Sequence, residues 1–113
     1  DCYLVTPISQ KSVGTTTILY RNMPVWFMHY AGWYDESVVP FLKECLIKAY
    51  SEGKFFGGRG PSAMGSRNSR LLYTNSVSNP GAIIFKSFSG QEHIHRFDGT
   101  MLGTHWYRGM SLL

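Results

Sequence analysis

Glu92-His93-Ile94-His95-Arg96-Phe97-Asp98-Gly99-Thr100-Met101-Leu102-Gly103-Thr104-His105-Trp106-Tyr107 is the stretch that decides the fold. Two runs with apolar and aromatic residues flank Asp98-Gly99, a dipeptide suited to the positive backbone angles of a type I′ hairpin turn. Counting back from that turn pairs Phe97 with Thr100, Arg96 with Met101, His95 with Leu102 and His93 with Thr104, and it sets His105 opposite Glu92. Side chains alternate across a strand. Glu92, Ile94 and Arg96 therefore share one face, and His93, His95 and Phe97 the other.

Working outward, Asn79-Pro80-Gly81 reads as a turn, Ala82–Phe88 as a strand and Ser89-Gly90 as the next turn, so 82–107 is expected to be a three-stranded antiparallel meander. Upstream, GTTTILYR (14–21) reads as a strand, interrupted at Asn22-Met23-Pro24 because proline lacks a ladder N–H. Val25 to Tyr30 returns antiparallel to it, with Trp26, Met28 and Tyr30 on the core face, and Gly32 closes the segment.

A helix is predicted over 38–50, where Val38, Phe41, Leu42, Cys45, Leu46, Ala49 and Tyr50 recur at helical steps. Ser37 is the expected cap, Pro40 falls in the tolerant first turn, and Gly53 is the stop. From 53 to 70 five glycines punctuate a run with Lys54, Arg59, Arg67 and Arg70 and no acid, a long loop before a short strand at 71–74. The spacing Gly14–Ile18 returns as Gly90–Ile94, and Tyr30-Ala31-Gly32 returns as Tyr107-Arg108-Gly109. The expected fold is thus α+β: a bent antiparallel β-sheet of five or six strands, built of duplicated hairpin units, with one packed helix.

At 113 residues and 12.8 kDa the chain fits a single domain over 1–113. Apolar residues make up 43% and charged residues 16%, which excludes disorder. A net charge of +4 does not by itself imply a polyanion partner. No stretch is long enough for a membrane helix, and no signal peptide opens the chain. Cys2 and Cys45 are too few for a disulfide scaffold or a structural zinc site, so a reduced, cytoplasmic protein without metal or cofactor is expected. Asp1-Cys2-Tyr3-Leu4-Val5 begins as an extended segment already under way, as if an N-terminal segment were missing.

Pro24-Val25-Trp26-Phe27-Met28-His29-Tyr30-Ala31-Gly32, Phe41 to Leu46, Arg59-Gly60-Pro61 and Phe88-Ser89-Gly90-Gln91-Glu92-His93-Ile94 resemble a poorly characterised bacterial domain found alone or joined to an XRE-type helix-turn-helix. Its members look like PVW-x-M-x-Y-x-G, a helix, an RGP loop and an F-x-G-x-E-x-I hairpin, in this order. The resemblance covers 14–109 without the family's first segment. It implies a fold and no activity, and it departs at His29, where members look like Asn.

Three constellations bear on function. Glu92 and His105 are expected cross-strand neighbours, a carboxylate able to orient an imidazole. They are half of a hydrolytic or RNA-cleaving centre, with Ser87, Ser89 and Thr104 nearby but in no nucleophile elbow. The plainer alternative is a buried Glu–His hydrogen bond. A three-histidine metal site is disfavoured, because His93 and His95 face away from His105. Arg59, in its glycine-rich surroundings, either meets an anion or pairs with Glu92 or another internal carboxylate and pins the loop to the sheet. Lys54, Arg59, Arg67, Arg70 and Lys86, interleaved with Phe55, Phe56 and Tyr73, offer a weak nucleic-acid surface.

Trp26, Trp33, Trp106, Tyr30, Tyr34 and Tyr107 gather at the ends of the return strands, as core filling or as a pocket. The favoured expectation is non-catalytic binding of a small ligand or protein partner by Arg59, Trp33, Tyr30 and Trp26. The alternative is a hydrolase or RNA-cleaving enzyme with His105 as base, Glu92 as its orienter and Arg59 for an anionic intermediate. Residues 3–8 offer an edge that a homodimer would cover.

Overall fold

The computed structural model describes residues 1–54, 56–78 and 86–113. Its first hairpin is set by Arg21 and Asn22, whose φ values of 49° and 64° match the twist of strands joined by a two-residue turn. They connect β2 (Lys11–Tyr20) to β3 (Met23–Tyr34). Pro24 does not interrupt the hairpin as expected. It lies inside β3 opposite Leu19, next to a register shift at Ile18 and Leu19 where the ladder is already irregular. β1 (Cys2–Val5) pairs with β2 and forms one edge of the sheet, with Tyr3, Leu4 and Val5 exposed.

The C-terminal half contributes β4 (Ala63–Ser66), β5 (Leu71–Val77), β6 (Ser87–Arg96) and β7 (Met101–Ser111). The described residues form one antiparallel sheet of seven strands in the order β1-β2-β3-β7-β6-β5-β4. That exceeds the expected five or six. β1 is an added edge, and β4 occupies part of the stretch expected to be loop. Ser89 and Gly90 are not a turn but lie within β6, opposite Arg108 and Tyr107. The expected Asn79-Pro80-Gly81 turn and the first residues of the expected 82–88 strand lie outside the described residues. Near Asp98-Gly99 a register shift between Ile94 and His95 sets His95 opposite Met101 rather than Leu102, while His93 faces Thr104 and Glu92 faces His105 as expected.

The helix α1 (Val39–Glu52) follows a 3-10 turn at Glu36–Val38. Asp35, not Ser37, caps this entry: its carboxylate accepts from the Ser37 N–H at 3.0 Å. Standing two residues earlier, Asp35 precedes the 3-10 turn, and its carboxylate meets the free N–H of Ser37 itself. Gly53, with a φ of 65°, ends the helix. Phe41, Leu42 and Cys45 of α1 pack against Tyr34, Leu71, Tyr73 and Ile94 of the sheet. A second cluster on the same sheet face joins Trp26, Met28, Tyr30, Phe88 and Tyr107.

The two hairpins β2–β3 and β6–β7 meet along β3 and β7, where Tyr30 lies opposite Tyr107. Gly14 lies opposite Tyr30 and Gly90 opposite Tyr107. A methyl group at either glycine would fall within 2.4 Å of the tyrosine ring or hydroxyl, so the ring lies flat across the neighbouring strand. Among the described residues no helix is long and apolar enough to cross a membrane.

Candidate active site

One row of residues crosses the sheet between the two apolar clusters. Ser12 on β2 lies opposite Gly32 on β3, Gly32 opposite His105 on β7, His105 opposite Glu92 on β6, and Glu92 opposite Asn75 on β5. Each link is a direct register pair, so these residues share the face that α1 covers. Gly32 has no side chain, and Ser12 reaches over it to place Oγ 3.0 Å from His105 Nε2. This contact joins residues 93 apart in sequence.

The other imidazole nitrogen, Nδ1, faces Glu92 Oε1 at 3.7 Å. That is longer than a hydrogen bond, as acid–base pairs often are before substrate arrives. Tyr73 donates to Glu92 Oε2 at 2.7 Å. Arg59 Nε lies 2.9 Å from Glu92 Oε1. Glu92 is completely buried, and Arg59 and His105 are each only 4% exposed. A buried ion pair survives only when its partners are well matched. Here the carboxylate has a guanidinium on one oxygen and a phenol on the other.

Arg59 is driven inward by its loop. Phe56 N donates to Gly60 O at 2.7 Å, which closes a tight turn. Asn75 Nδ2 donates to the carbonyls of Phe56 (2.8 Å) and Gly60 (3.3 Å). Tyr107 donates to Asn75 Oδ1 at 2.6 Å and holds that amide in place. The Arg59 guanidinium stacks on the Tyr30 ring with 4.4 Å to its centroid, a favourable cation–π geometry.

Electrostatics follow from this burial. Desolvation, with the Arg59 charge adding to it, pulls the His105 pKa from 6.5 down to about 4. The imidazole is therefore neutral at physiological pH, and a tautomer with Nδ1–H toward Glu92 leaves Nε2 free to accept from Ser12. Burial opposes the Arg59 charge, but Glu92 and the surrounding phenols outweigh it and its pKa rises. Burial first, then the Glu92 carboxylate, pushes the Tyr34 and Tyr73 hydroxyls up. Tyr34 approaches the His105 ring edge-on at 4.7 Å, and Tyr30 stacks on it at 5.6 Å. These rings fix its plane.

This buried Arg59–Glu92–His105 cluster overturns the expectation of a purely non-catalytic binding domain. The Arg59 charge is turned onto Glu92 instead of toward a ligand. Tyr30 and Trp26 are packed in the core, while the strand alternation puts Trp33 on the opposite face of β3. A surface cavity of about 110 Å³ beside α1 and β4 has Lys48, Glu52 and Met64 in its lining and no aromatic ring. The basic-loop expectation loses Arg59 to the interior in the same way, and Phe55 lies outside the described residues. Among the described residues no three His, Cys, Asp or Glu side chains converge as metal ligands would.

A family model described as a domain of unknown function, DUF5680, matches residues 7–111. The chain belongs to this family. The match takes in Ser12, Gly32, His105, Glu92 and Asn75, every residue of the row, together with the counter-ion Arg59. No curated protein and no solved structure matches the chain.

The residue that sequence reasoning missed is Ser12. The nearby hydroxyls singled out for the role were Ser87, Ser89 and Thr104, all close to Glu92 or His105 along the chain. Ser87 and Ser89 alternate to the far face of β6, and Thr104 spends its hydroxyl on the Glu92 carbonyl at 2.9 Å. A serine opposite a strand glycine was the available signal, and it required the β3–β7 pairing to be known.

Proposed function

We propose that the chain is a hydrolase with a Ser12–His105–Glu92 centre, acting on ester-type acyl substrates. The observation that carries this reading is the 3.0 Å approach of Ser12 Oγ to His105 Nε2, with a carboxylate on the far side of the same ring. Nucleophile, base and orienter in that order are the arrangement acyl transfer needs. Ser12 is the partly exposed member and the others lie behind it, so substrate meets the hydroxyl first.

In the proposed reaction Ser12 Oγ attacks the substrate carbonyl carbon while its proton passes to His105 Nε2. Glu92 steadies the imidazolium through Nδ1–H. The C–O bond to the leaving alcohol breaks, and His105 returns the proton to that alcohol. Water, deprotonated by the same nitrogen, then releases the acid and restores Ser12. Arg59 is a positioning residue that holds Glu92 in place. A serine nucleophile favours this reading over RNA cleavage, in which the attacking hydroxyl belongs to the substrate.

The test is covalent labelling with a fluorophosphonate, followed by peptide mass spectrometry, beside a burst assay with p-nitrophenyl acetate. The adduct is expected on Ser12, and Ser12→Ala and His105→Asn should abolish both adduct and burst. An adduct on another serine, or an unchanged burst in Ser12→Ala, overturns the proposal.

A further inference from the structure

The sheet has a second face. α1 and the Arg59 loop pack on the side that carries Tyr30, Glu92 and Tyr107, while the alternate strand positions point the other way. No described element packs over them. Here Phe27, His29 and Trp106 form a contiguous set: Phe27 and His29 stack at 6.3 Å, and His29 meets Trp106 edge-on at 5.6 Å. Trp106 is 50% exposed, and Phe27 is exposed beside it. Trp33 lies farther along the same face, opposite Lys11.

The charged strand residues of this face have one sign. Glu92 is the single acidic residue in any described strand, and it points to the opposite side. Arg108 lies directly across from His29, and Lys11 sits at the end near Trp33. Exposed aromatic rings on a strand surface whose own charged residues are cationic complement a chain of bases and phosphates. A second copy of the same face would instead oppose Arg108 and Lys11 to like charge.

We propose that this open face binds single-stranded nucleic acid, with bases stacked on Trp106 and Phe27 and phosphates met by Arg108 and Lys11. The site is separate from the Ser12–His105 centre and does not depend on the hydrolase reading. It also differs from the basic loop at 54–70, whose Arg59 packs on the opposite face of the sheet against Tyr30 and Glu92.

The test is fluorescence anisotropy of a fluorescein-labelled dT12 oligonucleotide titrated with the full chain at 50 and 200 mM salt. Saturable binding that weakens with salt is expected, because phosphate contacts release counter-ions. Trp106→Ala should weaken it about tenfold, the scale of one lost stacking contact. Arg108→Gln should flatten the salt dependence, and Ser12→Ala should leave the affinity unchanged. Three outcomes overturn the proposal. One is no binding at 50 mM salt. Another is binding lost in Arg67→Gln/Arg70→Gln but kept in Trp106→Ala. The third is a dimer in sedimentation that Trp106→Ala dissolves and dT12 does not affect. Circular dichroism melting of each variant confirms that it is folded before titration.

Discussion

Ser12 and His105 touch although their strands do not. β2 and β7 lie on either side of β3, and the two side chains meet over the bare backbone of Gly32. A side chain at that position would sit in the gap. The hydroxyl–imidazole contact therefore depends on a residue that contributes nothing to it chemically.

Gly32→Ala is expected to break the contact. Its methyl would fall 2.0 Å from the Thr104 carbonyl oxygen and 2.7 Å from His105 Cδ2, at a φ of 151° that non-glycine residues rarely adopt. Urea unfolding should show a loss on the order of 1–3 kcal/mol for a strained backbone position. Fluorophosphonate labelling of Ser12 should fall even where the protein stays folded.

Glu92→Gln should be among the most destabilising single changes, at about 3–5 kcal/mol, because it leaves the Arg59 charge buried without a counter-ion. Arg59→Met should cost a similar amount for the converse reason. The double variant is expected to lose less than the sum of the two, a coupling that a denaturation cycle reads directly. Additive losses would mean that the 2.9 Å ion pair contributes no interaction of its own.

The pH dependence has a definite sign. His105 has a folded pKa depressed from 6.5 to about 4, so the unfolded chain binds more protons between these values. The stabilisation is complete above about pH 6.5 and declines as the pH falls toward 4. At about 1.4 kcal/mol per pKa unit the total is on the order of 3 kcal/mol. His105→Phe should remove this slope from the stability profile. In the wild-type chain, the rate of Ser12 labelling should fall only as the solution approaches pH 4.

Asn75→Ala is expected to release the 56–60 loop. Its amide holds two loop carbonyls and receives the Tyr107 hydroxyl, and leaving such buried groups unpaired costs about 1–3 kcal/mol each. Limited proteolysis should then cut near Arg59 faster than in the wild-type chain. Tyr107→Phe, which removes one of the three bonds, should have a smaller effect in the same direction.

Where contacts are local, the residues announced them. The stripe from Val38 to Tyr50 gave α1 to within two residues, and Asp98-Gly99 gave the hairpin that sets Glu92 opposite His105. The alternation of Trp26, Met28 and Tyr30 identified the core face of β3. Pairing of Arg59 with Glu92 or another internal carboxylate was one of the two outcomes weighed for that loop. β4 escaped because Ala63-Met64-Gly65-Ser66 has neither alternation nor strand propensity and is held by β5 alone. Ser12 escaped because its partnership passes through β3–β7, a pairing between distant segments that no local pattern encodes.

The seam between β3 and β7 has a consequence for assembly. Among the described residues the strands N-terminal to α1 form one meander and those after it another, and the sheet joins them only there. Ser12 belongs to the first meander; His105, Glu92 and Arg59 belong to the second. Neither half holds Ser12, His105 and Glu92 together, so the proposed centre exists only where the two halves are joined. The proposed Ser12–His105 pair is therefore assembled only where Tyr30 and Tyr107 stand in register across that seam.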